Sequence, residues 1–221
     1  MARMPTSTRA RLVDAAFALF EERGFHETTV EEITARAGTG RTTFFRHFRG
    51  KEDVVFPDHE QLLPRVAARL GTATGTTREV ALREAARIVL DHYLDEGTTA
   101  RARYRLTRTV PALRDRESAS AQRYLRLFRE HIATWTANEP DGELRAELLA
   151  AAVITAHNHV LRRWLREETD AVDAEFDAAL TRALATADPS AGASATVVVH
   201  TSSTDVDQVL RDVRDALTRG G

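Results

Sequence analysis

Apolar residues recur at spacings of three and four along most of this chain, and glycines fall where the pattern breaks, so the sequence reads as a succession of helices. From Thr8 to Arg23, Leu12, Ala16, Leu19 and Phe20 form one stripe, and Gly24 follows as a helix stop. Thr29-Val-Glu-Glu32 has the form of a capping box and opens a second helix that runs to Ala37. Gly38 ends it, Thr39-Gly40 make a turn, and a third helix runs from Arg41 to Phe48. Two short helices joined by a glycine-containing turn describe a helix-turn-helix. On the third helix Phe44 and Phe48 share one face and are expected to pack against Phe17, Phe20, Ile33 and Ala37. Arg41, Thr42, Thr43, Phe45 and His47 are then left as a polar and aromatic surface of the size that enters a DNA major groove.

Farther along, Pro57 and Pro64 predict a break or kink in a connecting helix, with Asp58 to Leu70 coupling the first module to the rest. Thr76-Thr-Arg-Glu79 reads as a second capping box, opening a helix to Glu96 that Gly97 ends. Further helices are expected over 99–109, 111–137, 142–168 and 172–187. The 142–168 segment carries two apolar stripes: Leu149, Val153, Ala156, Val160 and Trp164 on one side, Ile154, Leu161 and Leu165 on another. Burial on two sides follows, either because this helix pairs with the Phe176, Leu180, Leu184 stripe and also meets a second subunit, or because it is central to its own domain. The fold class is therefore all-α, with a boundary plan of 1–52 for a helix-turn-helix module, 53–188 for a larger helical domain, and 189–221 for a tail. In that tail Thr196 to Thr201 reads as a short strand and Thr204 onward as a helix, with pairing of the strand across a dimer two-fold and a mobile tail as the two alternatives.

Composition changes this picture at three points. The chain of 221 residues has no cysteine, which removes disulfides and thiolate metal sites, and it has no signal-peptide pattern or long apolar span, so a cytoplasmic location is expected. Net charge is −2, but residues 1–51 hold nine basic against six acidic side chains, so positive charge gathers at the end that carries the helix-turn-helix. Thirty of the 31 basic residues are arginine, which singles out Lys51 as a position that wants a compact ammonium.

No catalytic or nucleotide-binding motif is present, and Gly38-Thr39-Gly40 is only a turn, so an enzyme is not expected. His157 and His159 lie two apart on a helix and diverge by about 200°, which excludes joint chelation; no metal and no cofactor is expected. His92, Tyr93, Tyr104, Arg108, Tyr124, Phe128, His131, Trp135 and Asn158 cluster on the middle helices as a mixed apolar and polar set suited to a ligand cavity. A DNA-binding regulator is the favoured function, with a helical ligand-binding or enzymatic domain carrying a vestigial DNA-binding motif as the alternative.

The segment "HETTVEEITARAGTGRTTFFRHFRGKEDVV" resembles the DNA-binding segment of TetR-family bacterial transcriptional repressors, in its threonine pair, Ala-Gly turn, Thr-aromatic-aromatic run, His-Phe pair and Lys-Glu. The resemblance covers residues 8 to about 55. It implies a dimeric repressor that reads a double-stranded, pseudo-palindromic operator and is released by a small-molecule effector, with the middle-helix cluster as the effector site. It further implies that Thr29 touches phosphate, that Arg41, Thr42 and Thr43 face base edges, and that Phe45, His47 and Lys51 lie around the DNA backbone. A subgroup with "TFFRHF" before "KEDVVF" is similar to regulators holding acyl-CoA-like ligands, which would use Arg108 for an anionic group. Two departures stand out. Phe45 replaces the usual tyrosine, and Gly38-Thr39-Gly40 replaces Gly-Val-Ser, which alters a core valine and a capping serine.

Overall fold

The computed structural model describes residues 7–57 and 59–187, and all the regular structure among them is helical. Helices α1 (Thr8–Arg23), α2 (Val30–Arg36), α3 (Arg41–His47) and α4 (Lys51–Val55) build the N-terminal module. Helices α5 (His59–Gly71), α6 (Arg78–Glu96), α7 (Thr98–Thr109), α8 (Pro111–Thr136), α9 (Gly142–Leu165) and α10 (Val172–Ala187) build the rest. The break expected at Pro57 separates α4 from α5, whereas Pro64 is accommodated within α5. The expected strand and terminal helix after Asp188 lie outside the described residues.

Two apolar cores organise these helices. The first joins Leu12, Leu19, Phe20, Phe25, Ile33, Phe44 and Phe48, with Phe17 at its edge, as the helical spacing requires. It does not stop at residue 52. Val54, Val55 and Phe56 complete it, and Val110 and Leu113 enter from the α7–α8 junction, so the N-terminal module is packed directly onto the larger domain. The second core runs through α5, α6, α8, α9 and α10.

Helix α9 is the centre of that second core. It packs against α10, α8, α6 and α7, and its stripes at Leu149, Val153, Val160 and Trp164 and at Leu161 and Leu165 are buried by its own chain. The expected pairing with the Phe176, Leu180, Leu184 face of α10 is present, and Ile154 of the second stripe is only partly buried. What α9 leaves exposed is Leu144 and Leu148, each about half accessible (55% and 51%), near its N-terminus.

Local signals differ from expectation at two ends. The box at the start of α6 falls two residues earlier than expected: Thr74 N–H donates to Thr77 Oγ1 at 2.9 Å around a 3₁₀ turn, Gly75–Thr77. Glu79 instead accepts from Arg83 one turn on, at 2.8 Å. Helix α9 stops at Leu165, three residues short of the expected end, because Glu167 turns to a positive φ of 61°. At its other end, Thr136 Oγ1 donates to the Gly142 carbonyl at 2.7 Å, and a Cβ on Gly142 would lie 2.0 Å from the Thr136 carbonyl oxygen. Only glycine lets α8 and α9 approach so closely.

Candidate functional site

Helix α3 is held from beneath. Phe44 is fully buried and Phe48 nearly so, their rings 5.4 Å apart, and this anchorage turns the opposite side of α3 outward. Arg41, Thr42, Phe45 and His47 are exposed and Thr43 is half-buried. Phe45 is 49% accessible, unusual for a phenyl ring, and the Arg41 guanidinium lies 5.7 Å from its centroid. Arg41 also pairs with Glu31 on α2. The Thr29 box is formed as expected: Thr29 N–H donates to Glu32 Oε2 at 2.9 Å and Glu32 N–H to Thr29 Oγ1 at 3.3 Å. The Thr29 backbone donation holds Glu32 below the usual carboxylate range. Gly38, at φ 64°, supplies the left-handed turn between α2 and α3. The two departures in that turn both appear: the Thr39 hydroxyl is buried without a partner, and Gly40 caps α3 with no side chain.

Lys51 is placed otherwise than expected. Its Nζ donates to three carbonyls of the α1–α2 loop, Phe25 at 2.8 Å, Thr28 at 2.9 Å and His26 at 3.1 Å, and lies 4.7 Å from the Phe25 ring centroid. An ammonium has three donors in a compact tripod, and here all three are spent inside the protein. That geometry explains the one lysine in an arginine-rich chain, since a planar fork cannot converge on three carbonyls. The expected contact with the DNA backbone would require these bonds to break.

Among the middle helices lies a cavity of about 270 Å³. It brings together five of the nine residues expected there: Tyr93, Tyr104, Tyr124, Phe128 and Asn158. The other four lie elsewhere. His92 faces Glu96 at 3.5 Å, Arg108 is exposed and donates to the Tyr104 hydroxyl at 3.1 Å, His131 is 2.9 Å from the Leu127 carbonyl on its own helix, and Trp135 packs at the edge of the second core. The charged groups that do line the cavity are Arg103, Glu117 and Arg162, together with His59 and His157. Arg103 and Glu117 were not among the residues expected at the cavity, and His157 was weighed only as a metal ligand. Their signal was position: Arg103 falls on the buried face with Ala100 and Thr107, and Glu117 falls on the Leu113, Tyr124, Phe128 face.

Burial sets the electrostatics of this cavity. It pushes the Tyr93 hydroxyl up to about 12 and raises the Glu117 carboxyl, and it depresses His157 to about 4. His157 Nδ1 is 3.2 Å from Asn158 Oδ1, while its Nε2 is buried with no partner. The Tyr124 hydroxyl lies 3.0 Å from His59 Nδ1. Arg103, almost fully buried, is paid for by Glu96: its two terminal nitrogens donate to the two carboxylate oxygens at 2.5 and 2.9 Å, and its Nε donates to the Val55 carbonyl. The pair with Arg103 and His92 overcomes burial and holds Glu96 down at about 2.

An outward-facing recognition helix beside a helical domain with an internal cavity defines a helix-turn-helix transcriptional regulator. Residues 12–56 match the family model of bacterial regulatory proteins of the TetR family, and residues 76–190, just over half the chain, match that of the MftR C-terminal domain. The chain belongs to the TetR family. It is 28% identical over 188 residues to MftR of Mycobacterium tuberculosis, named as a mycofactocin biosynthesis transcriptional regulator, with 79% of this chain and 90% of that one covered. It is likewise 28% identical over 183 residues to the transcriptional regulator TcmR of Streptomyces glaucescens, covering 78% and 81%. A TetR-family regulator from Syntrophomonas wolfei has the same fold, at a TM-score of 0.58 and 16% identity over 87% of this chain and 98% of that one. This protein is a DNA-binding transcriptional regulator, a class that is not normally enzymatic. No helix among the described residues is long and apolar enough to cross a membrane.

Proposed function

We propose that this regulator is a homodimeric repressor, working in the cytoplasm, that leaves a pseudo-palindromic operator when a small molecule fills the cavity. The observation that supports this most directly is adjacency: Phe56 belongs to the core beneath the recognition helix and also lines the cavity. Two modules related by a two-fold would read half-sites about one helical turn apart. Arg41, Thr42 and Thr43 read base edges, Thr29 and the α2 N-terminus meet phosphate, and His47 lies against the DNA backbone. Phe45 has no hydroxyl and meets a thymine methyl or a sugar. Lys51 holds the module together in this reading instead of touching DNA. Residues 1–52 carry recognition and 53–188 carry the effector and dimer functions, with α4 shared between them.

The effector is partly apolar and takes hydrogen bonds at its polar end. A cavity of about 270 Å³ is smaller than most drug-sized sites and too small for a whole coenzyme A. An acyl-CoA-like effector would place its acyl chain near Val89, Phe128 and Ile154 and leave the nucleotide outside. Arg108, away from the cavity lining, is then not the anion site. Titration against the DNA upstream of the protein's own coding sequence, over a series of salt concentrations, tests the DNA reading. Saturable, sequence-selective binding that weakens with salt supports it, and equal affinity for shuffled DNA overturns it. A thermal-shift series with acyl-coenzyme A esters of graded chain length tests the effector reading, which fails if only small polar metabolites stabilise the protein.

A further inference from the structure

Arg103 is a buried charge on the cavity wall that no recognition or ligand role accounts for. Its guanidinium lies 5.7 Å from the Tyr93 ring centroid on the cavity side and forms the bidentate pair with Glu96, the last residue of α6. From the same side chain, Nε reaches across to the carbonyl of Val55, the last residue of α4. A last-turn carbonyl has no partner within its own helix, so Arg103 acts as a C-terminal cap delivered from another element. Helix α4 is only five residues long, and its own ladder holds it weakly. Its first residue is Lys51, which grips the α1–α2 loop, and Val54 and Val55 are fully buried in the core that carries Phe44 and Phe48. One side chain thus joins the cavity wall to the short helix on which the recognition module rests.

We propose that Arg103 is the positioning residue through which the state of the cavity sets the placement of α4, and with it the DNA-reading face of α3. A ligand that displaces Tyr93 or competes for the Arg103–Glu96 fork withdraws the cap from Val55. The recognition module then loses its fixed orientation, and operator affinity falls by linkage. A second contact, between Arg116 on α8 and Asp53 on α4 with Arg116 5.3 Å from the Phe56 ring centroid, pairs a half-exposed arginine with a mostly buried carboxylate, and neither residue lines the cavity.

This rests on the cavity being the effector site, and the test is made without effector so that the two ideas fail separately. Removing one member of a buried pair strands the other charge, so the informative variant is the double, Glu96→Gln with Arg103→Met, in the full chain. Amide hydrogen exchange, melting temperature and affinity for the upstream DNA are measured together, with Arg116→Ala as comparison. The expected result is at least tenfold faster exchange confined to residues 53–56 and the α1–α2 loop, with at least a tenfold loss of operator affinity and a melting temperature within a few degrees of the parent. Tyr93→Leu, which alters only the cavity side of the clamp, is expected to speed exchange at the same amides. Unchanged exchange in the double variant, an equal loss in Arg116→Ala, or uniform loss of protection across the chain would overturn the proposal. So would an effect in the double variant with none in Tyr93→Leu, since Arg103 would then be a cap without a link to the cavity. Failure of all cavity ligands to release DNA would instead overturn the effector reading.

Discussion

Single side chains here are chosen by geometry more than by charge. Lys51 is the clearest case: the site holds three converging carbonyls, and either loss of the amine or replacement by a planar group leaves oxygens unmatched. Lys51→Met is expected to lower the unfolding free energy of the N-terminal module by on the order of 2 kcal/mol, and Lys51→Arg is expected to recover less than half of it. Urea unfolding of the two variants against the parent checks this, and full recovery by arginine would show that only charge is wanted. His157 gives a second residue-scale expectation. Burial depresses it to about 4, so below the ordinary histidine value the unfolded chain takes up a proton that the folded chain cannot. The stability present above about pH 6.5 is therefore lost as pH falls toward about 4, by about 3 kcal/mol in all. His157→Gln should flatten that part of the pH profile. Glu96, held at about 2, loses its contribution at still lower pH, so the two can be told apart.

At the scale of elements, the α8–α9 corner offers the sharpest test. Gly142→Ala would drive a Cβ into the Thr136 carbonyl, a backbone atom that cannot move aside, and an overpacking cost of about 1 to 3 kcal/mol is expected in thermal or urea unfolding. A neutral result would mean that the corner opens freely. The helices themselves were legible because each has a periodic apolar face and most have a glycine or proline at an end. The bounds of α6 and α9 were less so, because competing boxes such as Thr74–Thr77 and Thr76–Glu79 differ by only two residues, and packing selects between them. The exposed residues of α3 were readable for a related reason: once Phe44 and Phe48 point inward, most of a seven-residue helix is left pointing out, with Thr43 half-buried. The cavity was half readable. Tyr93, Tyr124 and Phe128 declare themselves by type, but Arg103 and Glu117 are polar residues whose burial depends on partners from other helices, Glu96 and the distant Val55 for the one and Thr107 for the other. The helical periodicity of one element does not show which neighbour such a side chain will meet.

For the molecule as a whole, the proposed DNA reading and the pairing within the protein draw on the same side chain. Arg41 is tied to Glu31, so in that reading binding exchanges a carboxylate for a base edge. The net value of Arg41 then depends on the base it meets: Arg41→Ala is expected to cost about 1 to 3 kcal/mol on the preferred operator and much less on shuffled DNA, read from paired titrations. Equal losses on both would place Arg41 on phosphate. The lone lysine carries a further consequence of a chemical kind. Because every other basic side chain is an arginine, the Lys51 ammonium is the single side-chain amine in the 221-residue chain, and it is shielded by three carbonyls and a phenyl ring. Apart from the α-amino group, an amine-selective acylating reagent therefore reports on one side chain only, resolved by mapping the modified peptide. Modification at Lys51 is expected to be slow in the operator-bound protein and to quicken whenever the α1–α2 loop and α4 part, which turns an arginine-rich composition into a built-in chemical gauge of whether the DNA-reading module is closed.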